Sequence, residues 1–375
     1  MIFYITENFE GLKMKLTRRE FIKMLSITPF LLSSIGKGEG RKEAYYYKQL
    51  GNNKVQCLNC PHQCILSPGQ RGICRVRENK KGKLFTLAYA NPCAVHIDPI
   101  EKKPLFHFLP QSSVFSIATA GCNFRCKYCQ NWSISQKSPE ETENYFLPSH
   151  EVVRIAEREN IPVIAYTYSE PSVFYEYMLD TAKIANGRGI KNVWITNGFL
   201  NPEPLRELCK YADAANVDIK WFTEDLYREI SGGSLNPVLL TCKTLVKKKV
   251  HLEITNLIVP TLNDDKKMIR ELVIWVRDNL GADIPLHFSR FFPMYKLQHL
   301  PPTPVRTLQT AREIALNEGL HYVYIGNYPG GEWENTYCPE CKKLLIRRKG
   351  FMILENNITG GRCKFCKHKI YGVWK

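Results

Sequence analysis

From about residue 111 to residue 335, short apolar runs alternate with longer amphipathic segments. The short runs are "SVFSIAT" (113–119), "PVIAYTY" (162–168), "NVWITN" (192–197), "ANVDIKW" (215–221), "HLEITNLIV" (251–259), "PLHFSRF" (285–291) and "YVYIGN" (322–327). They are near-continuous and do not alternate apolar with polar, which is the pattern of strands buried on both faces. The longer segments carry a helical period. One starts at Ser149, with Glu151 in its first turn and Val152, Val153, Ile155 and Ala156 as its apolar face. Another spans 264–281, with acids at its start and Gly281 at its end. Such alternation predicts a parallel sheet with helical crossovers. Six or so units predict an α/β fold, a partial (β/α)6 barrel of the TIM type, with its chemistry at the carboxyl ends of the strands.

The flanks read differently. "KLTRREFIKMLSITPFLLSSIG" (15–36) carries Arg18-Arg19, Phe21 and Lys23 ahead of an apolar run without an acid. That is a twin-arginine export pattern, so residues 1–36 are excluded from the fold, with Met14 a candidate start. It predicts export to the periplasm or cell surface. An amphipathic helix with a chance Arg pair is the alternative, and would leave the protein cytoplasmic. A cysteine-rich region (37–110) precedes the barrel (111–335), and a four-cysteine module (336–375) follows it.

Composition adds bounds. The 375 residues, 44% of them hydrophobic, suffice for one barrel-sized domain with small additions. No run of 18 apolar residues appears, so no membrane span is expected. The net charge of +16 is spread along the chain. A solvated basic surface accounts for it. An anionic substrate or RNA is the sharper alternative, and no stacking or base-reading motif supports nucleic acid.

The 14 cysteines carry the chemistry. Cys209 and Cys242 sit alone in helix-like patterns and read as small buried hydrophobes. The others fall in groups built on C-x2-C and C-x3-C spacings, with nine residues between Cys64 and Cys74 and with Cys93 standing between two groups. Such spacings are too short for ordinary disulfides across a fold and suit metal or iron–sulfur ligation. Cys122, Cys126 and Cys129, in "GCNFRCKYCQNW" (121–132), directly follow the first strand. Three thiolates on a four-iron cluster leave one iron open, and an open position marks a catalytic metal. A three-cysteine zinc site completed by a distant histidine is the alternative.

C-x3-C-x2-C with Tyr128 before the last cysteine, after the first strand of a βα barrel, resembles the radical S-adenosylmethionine (radical SAM) superfamily. The resemblance implies a [4Fe–4S] cluster whose open iron is chelated by S-adenosylmethionine. It implies reductive cleavage of that cofactor to a 5′-deoxyadenosyl radical, which abstracts hydrogen from the substrate. At the second strand end, Tyr168-Ser169-Glu170-Pro171 stands where the family has a Gly-Gly-Glu type loop. The acid is kept, so Glu170, with Ser169 beside it, is implied to meet the methionyl amino group. An acid at a helix start beside Pro171 is the bland alternative. "ITNGF" (195–199) and "VDIKWF" (217–222) resemble the glycyl-radical activating enzymes, such as that of pyruvate formate-lyase. They carry Asn197, Asp218 and Lys220 over as cofactor contacts, an Asp–Lys pair closing the barrel mouth being the other reading. His287 is a proton carrier, a cofactor contact or a satisfied core histidine.

"CLNCPHQC" (57–64) with "GICRVR" (72–77), "DPIEKKPLFHFLP" (98–110) and "YIGNYPG" (324–330) narrow the resemblance, which runs from about residue 44 to the end, to the radical enzyme of the AmmeMemoRadiSam system. That implies the two small partner proteins of that system and an electron donor such as ferredoxin or flavodoxin. The substrate does not follow from it, a glycyl residue of a partner protein being the candidate that the likeness to the activases offers. A metal-stabilised binding module without chemistry is the rival function.

Two outer groups remain. Cys338, Cys341, Cys363 and Cys366 form paired knuckles, usually a closed zinc site. Cys57, Cys60, Cys64 and Cys74 offer four thiolates. Zinc is the first reading, an auxiliary [4Fe–4S] cluster the second, and disulfides a third if the protein is exported. Cys93 and His96 could substitute a ligand.

Overall fold

A computed structural model describes residues 40–328 and 330–375. The export-signal reading lies outside the described residues. All seven apolar runs are strands of one eight-stranded sheet, laid side by side in chain order. The strands are β1 (Ala94–Pro99), β2 (Ser113–Ala118), β3 (Val163–Tyr166), β4 (Lys191–Thr196), β5 (Ala214–Asp218), β6 (His251–Ile258), β7 (Leu286–Arg290) and β8 (Val323–Gly326). β2 to β8 are parallel, and each pairs with its successor. β1 pairs antiparallel with β2, placing His96 opposite Ser116. This edge strand comes from the segment that the sequence assigned to the cysteine-rich region, so a boundary at 110/111 cuts through the sheet. Its signal was weak because only Val95 and Asp98 are buried in it.

Six helices make the crossovers: α1 (Ser149–Arg158), α2 (Tyr175–Gly187), α3 (Pro202–Leu208), α4 (Leu235–Lys247), α5 (Lys266–Leu280) and α6 (Val305–Asn317). α5 shows how the sequence sets one. Asp265 Oδ1 accepts from the amides of Lys267 and Met268 at 2.9 and 3.1 Å, satisfying donors the first turn leaves orphaned. Ile269, Leu272, Val273, Val276 and Leu280 then form one buried stripe. Each contributes about 1.5–3 kcal/mol by leaving water. Gly281, at φ +113°, ends the helix. Cys242 is buried in α4, whereas Cys209 is only half-buried at the end of α3.

The segment after β1 plugs the barrel. Ile100, Leu105 and Phe108 pack with Val114, Val163, Val193 and Ala214, at or near the starts of β2 to β5. Asn216 donates to Pro104 O at 2.8 Å. Phe106 and His107 donate their amides to Glu253 in β6 at 3.0 and 2.7 Å. The chain's last residues hold this segment from the other side. Val373 donates to His107 O at 2.8 Å and accepts from Leu109 at 2.7 Å.

The four-cysteine module is a hairpin, Leu344–Lys349 with Met352–Asn356, flanked by its knuckles. Around Cys57 lies a small sheet of Tyr47–Gln49, Val55–Cys57 and Ile65–Leu66. Among the described residues, no helix is long and apolar enough to cross a membrane.

Candidate active site

A cavity of about 610 Å3 opens at the carboxyl ends of the strands. Cys122, Cys126, Tyr128, Cys129, Ser169, Glu170, Asn197, Asp218, Lys220 and His287 all line it. The structure thus brings together every residue that the sequence placed near the triplet.

The cysteine loop leaves β2 through Gly121, at φ +94°. A side chain there would meet Cys74 O at 2.5 Å and Val76 Cγ1 at 2.7 Å, so only glycine fits. The loop then docks on a wide π-type turn, Tyr227–Ser231. Arg125 and Lys127 donate their amides to Ser231 O and Ile230 O at 2.7 and 3.0 Å. Each sulfur has a polar neighbour. The Phe124 amide lies 3.3 Å from Cys122 Sγ, Ser231 Oγ 3.4 Å from Cys126 Sγ, and Ser135 Oγ 3.1 Å from Cys129 Sγ. Burial pushes the Cys122 thiol well up, helped by the nearby Glu170, and burial also raises Cys129. Bare thiolates are therefore disfavoured here, and a bound metal's charge would reverse that.

Tyr168 stands where the resemblance leads one to expect glycine, and it adopts the left-handed φ of +62°. A bulky residue rarely does so. Three contacts hold it: its hydroxyl donates to Asp98, its ring lies 4.2 Å beneath the Lys103 ammonium, and its carbonyl accepts from Asn131 at 2.8 Å. The glycine-like backbone is kept without the glycine. Ser169 Oγ next to it is buried and has no hydrogen-bond partner, so this wall has a polar atom to offer.

Glu170 is buried and already engaged. It accepts from Ser172 N at 2.9 Å, Thr196 Oγ1 at 2.8 Å and Asn197 N at 2.8 Å. It caps the short helix Pro171–Phe174 and ties β3 to β4, leaving about one acceptor position free. Burial raises its pKa against those hydrogen bonds. Asn197 donates to Asn123 Oδ1 at 2.8 Å, fixing the cysteine loop to β4. Gly198 beside it, at φ +70°, lies where a side chain would press on Val217 at 3.0 Å. Asp218 and Lys220 pair at 3.0 Å at the end of β5. Burial works against the Lys220 ammonium, but the Asp218 carboxylate together with Tyr128 and Cys126 holds the pKa above its usual value. His287 is buried, with Nε2 2.7 Å from Glu253 Oε2 and its ring edge-on to Phe106. That is the arrangement of a satisfied core histidine at the cavity floor.

Sequence reasoning missed one wall. Lys102 and Lys103 line the cavity and both pair with Asp98, at 2.8 and 2.6 Å. Burial lowers Lys103 to about 8 against the pull of Asp98. Asp98 itself is buried, yet the two ammonium groups and the Tyr168 hydroxyl hold it below the carboxylate range. The acid followed by two lysines, four and five residues on, was the available signal. Gly350 and Phe351 reach the same cavity from the C-terminal module, and Glu334 from the turn just before it.

In that module Cys338, Cys341, Cys363 and Cys366 have all four sulfurs within 4.8 Å of one another, which could hold a metal ion. Across the set, Cys338–Cys366 and Cys341–Cys363 are 3.6 and 3.7 Å apart. Four sulfurs at about 2.3 Å from one ion stand about 3.8 Å apart. Cys57, Cys60, Cys64 and Cys74 line a separate small cavity. Neither Cys93 nor His96 is among its lining residues, and His96 stands edge-on to Tyr168 instead.

A model of the radical SAM superfamily matches residues 116–273. The chain is 50% identical over 331 residues to the uncharacterized protein MJ0808 of Methanocaldococcus jannaschii, covering 88% of this chain and 98% of that one. It is 25% identical over 211 residues to the pyruvate formate-lyase 1-activating enzyme of Escherichia coli strain K12, covering 52% and 85%. Among solved structures, Streptococcus suis SuiB bound to S-adenosylmethionine superposes with a TM-score of 0.46 at 15% identity, covering 61% of this chain and 53% of that one.

Proposed function

The chain belongs to the radical SAM superfamily, and on that premise we propose that Cys122, Cys126 and Cys129 hold a [4Fe–4S] cluster for hydrogen abstraction from a protein substrate. The observation that carries this reading is the convergence of the three thiols with Ser169, Glu170, Asn197, Asp218 and Lys220 on one cavity. When bound, the cluster and S-adenosylmethionine supply a 5′-deoxyadenosyl radical. The protein's own residues bind and orient. The free acceptor position of Glu170 and the unpartnered Ser169 hydroxyl suit a methionyl ammonium group. Lys220, held by Asp218, would meet the carboxylate of that cofactor. Tyr128 stacks edge-on to Trp221 at 5.4 Å and stiffens the loop between the second and third cysteines. His287 supports the floor through Glu253.

A polypeptide substrate, with a glycyl residue as the hydrogen donor, is supported by the rim. Phe351 lines the cavity and is half exposed. Trp132, next to the cysteine loop, is exposed and stacks on Tyr295 at 5.4 Å. The likeness to activating enzymes points the same way. A ferredoxin- or flavodoxin-type donor would supply electrons, and the AmmeMemoRadiSam partner proteins are the first to try as substrates. Zinc in the C-terminal knuckles would be structural, since four thiolates close its shell.

The test is electron paramagnetic resonance (EPR) of anaerobically purified, reduced protein, with and without S-adenosylmethionine, alongside 5′-deoxyadenosine release. A cofactor-shifted spectrum is expected. Cys126→Ala should keep the circular dichroism of the fold and lose cofactor cleavage. Retained cleavage in that variant, or a colourless protein holding zinc alone, would overturn the reading.

A further inference from the structure

The four N-terminal cysteines do not sit like the C-terminal knuckles. Cys57, Cys60, Cys64 and Cys74 line a void of about 20 Å3, with His62, Arg77 and Asn123 among its other walls. A water-sized sphere needs roughly 10–15 Å3 of such space. Four thiolates at about 2.3 Å from a single zinc leave no room for any sphere between them. A side chain built on Gly72 would stand 3.6 Å from Cys64 Sγ and 3.8 Å from Cys74 Sγ, so both sulfurs lie beside the glycine. Among the described residues, the C-terminal knuckles are the group whose ligand atoms all close to within 4.8 Å.

The wall of this void carries a buried cation. Arg77 is 2% exposed and lines the void. Its two terminal nitrogens bind Glu176 at 3.0 and 2.9 Å, and its Nε has no hydrogen-bond partner. A buried donor left unmade is costly unless something accepts from it. The sulfurs of an anionic cluster are such acceptors.

We propose that Cys57, Cys60, Cys64 and Cys74 hold a second [4Fe–4S] cluster, one thiolate to each iron, with Arg77 Nε donating to its sulfur. A cubane fills the centre with its own iron and sulfide and holds its cysteines further apart than one ion does. With all four irons capped, none is open to S-adenosylmethionine. The site can take up and release single electrons, and it lies against the cavity. Cys74 O abuts Gly121, and His62, in the same wall, bonds Asn123 O at 2.8 Å. Asn123 lines this void and donates to Phe199 O in the loop after β4.

The decisive sample is full-length protein carrying Cys122→Ala, Cys126→Ala and Cys129→Ala together, purified anaerobically. Iron, acid-labile sulfide and zinc are counted, and the EPR spectrum is taken after dithionite reduction. The expected result is about four iron and four sulfide per chain, with a reduced-cluster signal that S-adenosylmethionine does not move. Adding Cys60→Ser and Cys64→Ser should strip that iron and leave zinc. Wild-type protein should carry about eight iron, a count that does not depend on any variant folding. A triple variant with no iron and about two zinc per chain, or one whose mass shows these four thiols oxidised to disulfides, overturns the proposal. If wild type and triple variant both carry about four iron, the second cluster stands and the cavity reading falls.

Discussion

Replacing Glu253 by Gln is the most direct probe of how the cavity floor is built. Glu253 lies in β6 with no exposed surface. Its two oxygens meet four nitrogens: Phe106 N at 3.0 Å, His107 N at 2.7 Å, His251 Nε2 at 3.1 Å and His287 Nε2 at 2.7 Å. Two of the four are backbone donors, one on each oxygen. Whichever way the Gln amide is turned, its NH2 therefore faces a backbone N–H, and flipping cannot relieve this. Hydrogen bonds to a charged group contribute about 1.5–3 kcal/mol each, and two of the four are lost. The expected destabilisation is about 3–6 kcal/mol. The pH dependence follows from the carboxyl group. Burial would raise its pKa, but the two histidine hydrogen bonds hold it well below the carboxylate range. A depressed folded pKa gives stability that is complete above the unfolded value of about 4.3 and lost as pH falls through the folded value. The variant's deficit should therefore be full at neutral pH and shrink in acid. Anaerobic urea denaturation of the metal-loaded protein at pH 7 is the assay. A loss below about 1 kcal/mol would refute an ionised, four-fold acceptor at this position.

Gly121→Ala combines a left-handed backbone, costing about 1–2 kcal/mol, with contact on Cys74 O and Val76. It should lower the thermal midpoint by several degrees, and an unchanged midpoint would contradict the close approach of the two cysteine loops. His107 sits in a directed chain. Arg348 donates to Thr336, Thr336 to Tyr324 and Tyr324 to His107 Nε2, while Nδ1 donates to Tyr371 O at 2.6 Å. Burial lowers its pKa to about 3. Between pH 6.5 and 3 the unfolded chain binds a proton that the native one does not, so stability falls by about 1.4 kcal/mol per pH unit as pH drops. His107→Gln should flatten that slope, and an equal slope in both proteins would count against a neutral His107. Cys341→Ser should release about one metal ion per chain, seen by metal analysis, while the cavity's EPR signal persists.

The barrel was legible because buried parallel strands are long enough, and apolar enough, to stand out. The cysteine triplet was legible because its spacing is local. What escaped was assembled from distant segments. Nothing in "HLEITNLIV" marks Glu253 as the acceptor for a loop nearly 150 residues earlier. Spacing alone does not mark Lys102 and Lys103 as cavity residues, because only β1 and its plug turn them into the barrel. Tyr168 hid a glycine-like conformation, since φ is invisible in a residue type that rarely adopts it. The half-exposed β1 lacked the apolar run that revealed the other strands. The four thiols of the Cys57 group were plain in the sequence, but their spacing gave no measure of the space between them.

The pairing of Val373 with His107 and Leu109 has a consequence for the order of assembly on the ribosome. The plug that floors the cavity is synthesised before any parallel strand, yet its outer edge is closed by residues that follow all of those strands in the chain. Synthesis runs from the N-terminus, so the cysteine loop emerges while the segment beneath it still lacks this partner. The plug therefore gains these outer hydrogen bonds only once every parallel strand is available to hold it.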